Sequence, residues 1–76
     1  MKDETYPLSL AAADQDVEVV DVTGGRGLRR RLTELGFVAG TRLRIVNRAT
    51  SGPFLIALGS MRIALSPGMA HKILVR

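Results

Sequence analysis

Hydrophobic residues recur at helical spacing in one short stretch of the chain. Leu28, Leu32 and Leu35 are separated by four and three positions, which is the repeat of one face of an α-helix. Gly36 follows them, where a left-handed helix end favours a residue without a Cβ atom. We therefore predict a helix over about 27–35 that buries its leucines.

The remaining hydrophobic stretches are short, and they alternate with polar residues or are rich in β-branched side chains, as β-strands are. They predict five strands, at 17–22, 41–49, 54–58, 61–65 and 72–76. Strands this short manage their edges best by curling into a barrel. The fold class we expect is mostly β, a small barrel of about five strands with one short α-helix between the first two. Residues 1–76 form one domain, in which 1–7 are a loose lead-in.

The alternation also assigns inner and outer faces. It places Asn47 with Leu43 and Ile45 on one face of the second strand, and it points Met61 and Ile63 inward from the fourth. The third strand has three residues on one side, Phe54, Ile56 and Leu58.

The composition excludes several kinds of structural feature and indicates the compartment in which the protein works. The chain has 76 residues and no cysteine, so disulfides and thiolate metal clusters are excluded. No apolar run approaches the roughly 18 residues of a membrane helix. The acidic start is unlike a secretory signal. We predict a cytoplasmic protein that is not embedded in a membrane.

Charge is distributed unevenly. The net charge is +4, yet residues 1–23 carry six acids and one base, and 24–76 carry ten bases and one acid. This asymmetry indicates an anionic partner or an acidic protein surface, with a merely solvated basic face as the alternative. Within the helix, Arg31 and Glu34 are three positions apart and are predicted to pair.

The sequence lacks the residues that nucleotide-binding and catalytic sites require. A dinucleotide fingerprint would begin at Gly25 and Gly27, but Arg30 stands where its third glycine belongs. No Gly-Lys pair is present for a P-loop. The serines lie in no triad context, and the only histidine is His71. We predict that the protein is not an enzyme.

Two binding chemistries stay open from the residues alone. His71 could hold a metal ion with Met69 or Met61, with the N-terminal carboxylates, or in a site shared by two copies of the chain. The arginines of the helix and strands could follow phosphates. Single-strand binders interleave aromatic residues, however, and Phe37 and Phe54 read as core, so nucleic acid is not favoured.

Two segments carry a resemblance to a known family. "LRRRLTELGFVAGTRLRIV" (28–46) and "GSMRIALSPGMAHKILV" (59–75) together resemble the ferrous iron transport protein A family, FeoA. The resemblance implies an SH3-like β-barrel with added short helices. It also implies a small accessory protein that binds the cytosolic GTPase region of a FeoB-type ferrous iron permease.

These expectations assign candidate site residues. Arg26, Arg29, Arg30 and Leu32 are the predicted partner-binding residues, and His71 is the candidate metal ligand. No cofactor is required. The alternative function is an Fe²⁺-sensing or delivery domain, in which Fe²⁺ or another divalent transition metal would be bound. A homo-oligomer is open as well, because edge strands can pair.

Overall fold

In the computed structural model, residues 4–48 and 52–76 are described. Within them the chain forms β-strands, two α-helices and a short 3-10 helix. In chain order these are β1 (Tyr6–Pro7), the 3-10 helix (Leu8–Leu10), β2 (Asp16–Val22), α1 (Arg26–Leu35), β3 (Arg42–Arg48), β4 (Phe54–Leu58), β5 (Met61–Leu65), α2 (Pro67–His71) and β6 (Ile73–Val75). The predicted helix and the five predicted strands are confirmed. Residue 49, at the end of one predicted strand, lies outside the described residues.

The strands form one antiparallel sheet in the order β1-β6-β2-β3-β4-β5. β2 joins its two halves, since Asp16–Glu18 pairs with β3 and Val19–Val22 pairs with β6. The register shifts between Val19 and Asp21, and such an irregularity bends and twists the strand that carries it. The sheet thereby turns around one core.

That core is built from every part of the described chain. Its largest fully buried side chains are Phe37, Leu8, Leu32, Ile45, Ile56, Leu65, Ile73, Val19 and Val75. In β4, alternate residues point inward as predicted, because Phe54, Ile56 and Leu58 are all buried. No buried charged or polar residue interrupts the core among the described residues.

The start of the chain corrects the predicted lead-in. Tyr6 and Pro7 form β1 and pair with Val75 and Leu74 of β6. The Tyr6 hydroxyl also accepts a hydrogen bond from Gln15 Nε2 at 2.9 Å. Local periodicity could not show this strand, because its partner lies at the other end of the chain. Residues 1–3 of the predicted lead-in lie outside the described part.

One face assignment in β3 is wrong because of a bulge. Ile45 pairs with Ile56 and Asn47 pairs with Leu55, with a register shift between the two pairs. Val46 is the extra residue, and it moves Asn47 to the opposite face from Ile45. The Asn47 side chain is exposed as a result.

Candidate functional site

Helix α1 is held to the barrel by its leucines. Leu32 is fully buried, and Leu28 and Leu35 pack against the core while partly buried. The helix ends at Gly36, whose φ of 111° is left-handed and whose N–H donates to the carbonyl oxygens of Leu32 and Thr33. The anchored leucines leave the opposite face of α1 exposed to solvent.

That exposed face borders a shallow groove of about 410 Å³. We call it the α1 groove, and its lining residues are Gly24, Arg26, Arg29, Arg30, Thr33 and Glu34. The three arginines predicted to bind a partner therefore line one surface. Leu32, the fourth predicted residue, lies in the core instead, because it belongs to the leucine face of the helix. It can influence a partner only by fixing the position of α1.

The ion pairs of the α1 groove are exposed and long. Arg29 Nη2 lies 3.8 Å from Asp21 Oδ1, and Arg30 Nε lies 3.4 Å from Glu34 Oε2. The second pair corrects the prediction, in which Arg31 was the partner of Glu34. Exposed pairs of this kind contribute at most about 1 kcal/mol. Arg26 forms no ion pair with any residue in 4–48 or 52–76, so the groove keeps cationic groups for an anionic ligand.

A different arginine is already engaged on the sheet. Arg44 Nε and Nη2 donate to Asp16 Oδ1 and Oδ2 at 2.8 and 3.1 Å, a two-pronged contact across β2 and β3. The hydrogen bond from Arg44 holds the pKa of Asp16 below its usual value, and the same bond raises the pKa of Arg44. Since Arg44 is occupied in this way, the sheet is a poorer phosphate track than its arginine count indicates.

The candidate metal ligand lies elsewhere. His71 ends α2, is exposed, and has its Nδ1 3.1 Å from Ser9 Oγ, which links α2 to the 3-10 helix. Ser66 caps the N-terminus of α2, where its Oγ accepts a hydrogen bond from the N–H of Met69 at 3.3 Å. Across the described ranges, no group of three His, Cys, Asp or Glu side chains could hold an ion. His71 therefore has no cluster of such ligands in this part of the chain.

None of the helices within 4–48 and 52–76 is both long and apolar enough to cross a membrane.

Comparison with known proteins gives consistent results. The FeoA domain model matches residues 6–76. A Methanocaldococcus jannaschii protein described as a candidate Fe²⁺ transport protein A is 34% identical over 70 residues, covering 92% of this chain and 84% of that one.

Solved structures agree with the sequence match. A crystal structure of the iron uptake regulatory protein FeoA superposes with a TM-score of 0.88 at 29% identity, over 96% of this chain and 97% of that one. Stenotrophomonas maltophilia FeoA, solved in complex with zinc and described as a prokaryotic SH3 domain protein, has a TM-score of 0.82 at 31% identity, over 92% and 88%.

The fold is thus an SH3-like barrel with a short helix inserted after β2, and its candidate site is the groove lined by the arginines of α1. The chain belongs to the FeoA family, whose members are non-enzymatic accessory proteins of ferrous iron transport. This confirms the resemblance, the fold class and the prediction that the protein is not an enzyme. Sequence reasoning did not find the groove, because its walls combine the turn at Gly24 with the helix.

Proposed function

We propose that this protein works in the cytoplasm by binding the cytosolic GTPase region of a FeoB-type ferrous iron permease through its α1 groove. The observation that carries the proposal is the row of Arg26, Arg29 and Arg30 along one groove. The membership in the FeoA family supplies the iron transport context.

The cationic side chains of the groove support an acidic partner, because their existing ion pairs are weak. Arg29 and Arg30 are held only by exposed ion pairs of 3.8 and 3.4 Å, which a partner carboxylate can replace at little cost. Arg26, which forms no ion pair within the described part of the chain, is available without any exchange. Such charges act mainly on association rate and orientation, so the interaction should weaken as salt rises.

The relatives support a regulatory role of this kind. Stenotrophomonas maltophilia FeoA is described as a candidate activating factor of ferrous iron transport. A rigid barrel that presents one fixed helix face suits this task, because the groove is then ordered before the partner arrives.

Charge reversal in the groove is the direct test. The double substitution Arg29→Glu with Arg30→Glu should lower the affinity for the purified GTPase region of the same organism's permease by about tenfold at low salt. The difference should shrink at high salt, where exposed charges are screened. Surface plasmon resonance across a salt series measures both effects.

The matched control reverses two exposed arginines on the sheet. Arg42→Glu with Arg62→Glu makes the same change in net charge away from the α1 groove. We expect it to leave most of the affinity intact, and circular dichroism checks that both variants are folded. Equal losses in the two variants would mean that only net charge matters, and the groove assignment would be wrong.

The metal-binding alternative has one observation in its favour, the zinc in the Stenotrophomonas maltophilia structure. In this chain His71 keeps Nε2 for a metal, since Nδ1 is hydrogen-bonded to Ser9. Further ligands would come from Met69 or Met61, from the N-terminal carboxylates or from a second copy of the chain. Titration calorimetry with Fe²⁺ under anaerobic conditions tests whether the protein binds the metal, and we expect little heat of binding. Binding that His71→Ala abolishes would establish the alternative.

A further inference from the structure

The two edges of the sheet are unequally protected. At one edge, β1 has only two residues, and its Pro7 has no N–H to offer another strand. At the other edge, β5 has five residues, with no proline and no bulge against β4. Natural proteins shield their edges with such features, so β5 is the edge left open.

The hairpin geometry shows which groups of β5 are free. Gly59 has a φ of 62° and Ser60 has no positive φ, which is typical of a type II′ turn closed by the Leu58–Met61 pair. Hydrogen-bonded and non-hydrogen-bonded pairs alternate along an antiparallel ladder. Ile63 therefore bonds to β4, and the N–H and C=O groups of Arg62 and Ala64 point away from the sheet.

Those outward groups have no partner in the described chain. The backbone hydrogen bonds outside regular strands and helices involve neither Arg62 nor Ala64. Next to them, the Met61 side chain is 50% exposed although the alternation predicts it inward, and Ile63 is only partly buried. An added strand would satisfy the polar groups and cover both apolar side chains.

We propose that β5 pairs antiparallel with β5 of a second copy of this chain, with Ile63 opposite its counterpart on the twofold axis. This register makes Arg62 and Ala64 a hydrogen-bonded pair in both directions, so all the outward backbone groups of the two residues are matched. It also sets Arg62 against a small neutral side chain.

Neighbouring registers are poorer. With the axis shifted toward Met61, Arg62 lies directly opposite its counterpart, and like charges in that position are destabilising. With the axis shifted toward Leu65, Arg62 lies opposite Ser66, which is outside the strand. Only the register centred on Ile63 uses the free groups of both Arg62 and Ala64 within β5. The edge is therefore self-complementary, as a twofold interface must be.

The charges of the assembly predict its salt dependence. Each copy carries a net charge of +4, and the two Arg62 side chains lie diagonally across the axis. Added salt should therefore strengthen the pairing. The contact is small, so we expect a weak, concentration-dependent dimer. Binding of an acidic strand from another protein would show the opposite salt dependence.

A single introduced cysteine tests the register, because the chain has no cysteine of its own. Directly opposite residues in a non-hydrogen-bonded pair have Cα atoms near 4.5 Å apart, within the range for a disulfide. With diamide as the oxidant, which is reduced as the two thiols lose their hydrogens, Ile63→Cys should form a linked dimer. We expect a rate on the order of tenfold above that of Ala13→Cys, an exposed turn position, and a further increase with salt.

A second substitution separates edge pairing from other contacts. Ala64→Pro removes an outward N–H and no bond within the sheet, and prolines are tolerated at sheet edges. In the Ile63→Cys background it should return cross-linking to the Ala13→Cys rate, with Arg62→Pro as the replacement if circular dichroism shows unfolding. Sedimentation equilibrium of the unaltered chain should show dimer that Ala64→Pro lacks.

Two results would overturn the proposal. One is cross-linking of Ile63→Cys no faster than that of Ala13→Cys, together with sedimentation as a monomer at every concentration. In that case the β5 edge does not bind a second copy, and a strand of another protein would be its partner. The other is fast cross-linking that the proline does not slow, since the thiols would then meet through a surface other than the edge. Neither result bears on the α1 groove, so the proposed partner binding is tested separately.

Discussion

Replacement of Leu32 with alanine is expected to lower the free energy of unfolding by about 2–5 kcal/mol, the range observed for leucines that leave a cavity in a packed core. Leu32 has no exposed surface and is the fully buried residue of α1. Total stabilities of domains are only about 5–15 kcal/mol, so this change is a large share of the whole. Urea unfolding followed by circular dichroism measures it.

Arg31→Ala is the matched control for that experiment. It alters the neighbouring, exposed position of the same helix and should change the free energy of unfolding by no more than about 0.5 kcal/mol. The two variants also show whether Leu32 contacts a partner directly or only stabilises the fold. If Leu32→Ala weakened partner binding without lowering stability, Leu32 would be a contact residue, and its assignment to the core would be refuted.

The elements that the sequence predicted correctly are those encoded by neighbouring residues. The leucine spacing and Gly36 determine the span of α1, and the alternation of Phe54, Ile56 and Leu58 determines the inner face of β4. Each of these signals is contained within a few residues, so reading the chain locally is sufficient.

The features that were missed depend on distant partners. β1 consists of Tyr6 and Pro7 and exists because β6 lies beside it, which no local pattern can report. The bulge at Val46 reverses the face of Asn47. Two adjacent apolar residues, Ile45 and Val46, interrupt the alternation there, but the face of Asn47 is determined by the pairing with β4. Met61, which the alternation points inward, lies beside the turn of the β4–β5 hairpin and is 50% exposed.

The candidate site was predictable in the same partial way. Exposure of Arg26, Arg29 and Arg30 follows from the leucine face of α1. Their ion pairs do not, because Arg29 reaches Asp21 on β2, a residue whose position depends on packing between helix and sheet. Glu34 has candidate partners both three and four positions before it, and the structure selects Arg30.

Gly36 has two independent reasons to resist substitution. Its φ of 111° lies in the region that side chains with a Cβ atom rarely adopt. A Cβ atom at this position would also lie 3.0 Å from Cδ2 of Leu58, a buried residue of β4. Gly27 is the natural comparison, since it lies in the first turn of α1 with nothing within 4 Å of such an atom.

Gly36→Ala is therefore expected to lower the free energy of unfolding by about 1–3 kcal/mol, the cost of holding a side-chain-bearing residue in a sparsely populated backbone region. Gly27→Ala should leave stability unchanged or raise it by up to about 1 kcal/mol, because alanine restricts the unfolded chain and favours the helix. Urea midpoints of the two variants give the comparison. Equal changes in the free energy of unfolding for the two variants would contradict this. They would show that α1 can end, and the chain continue into β3, without a left-handed residue at position 36.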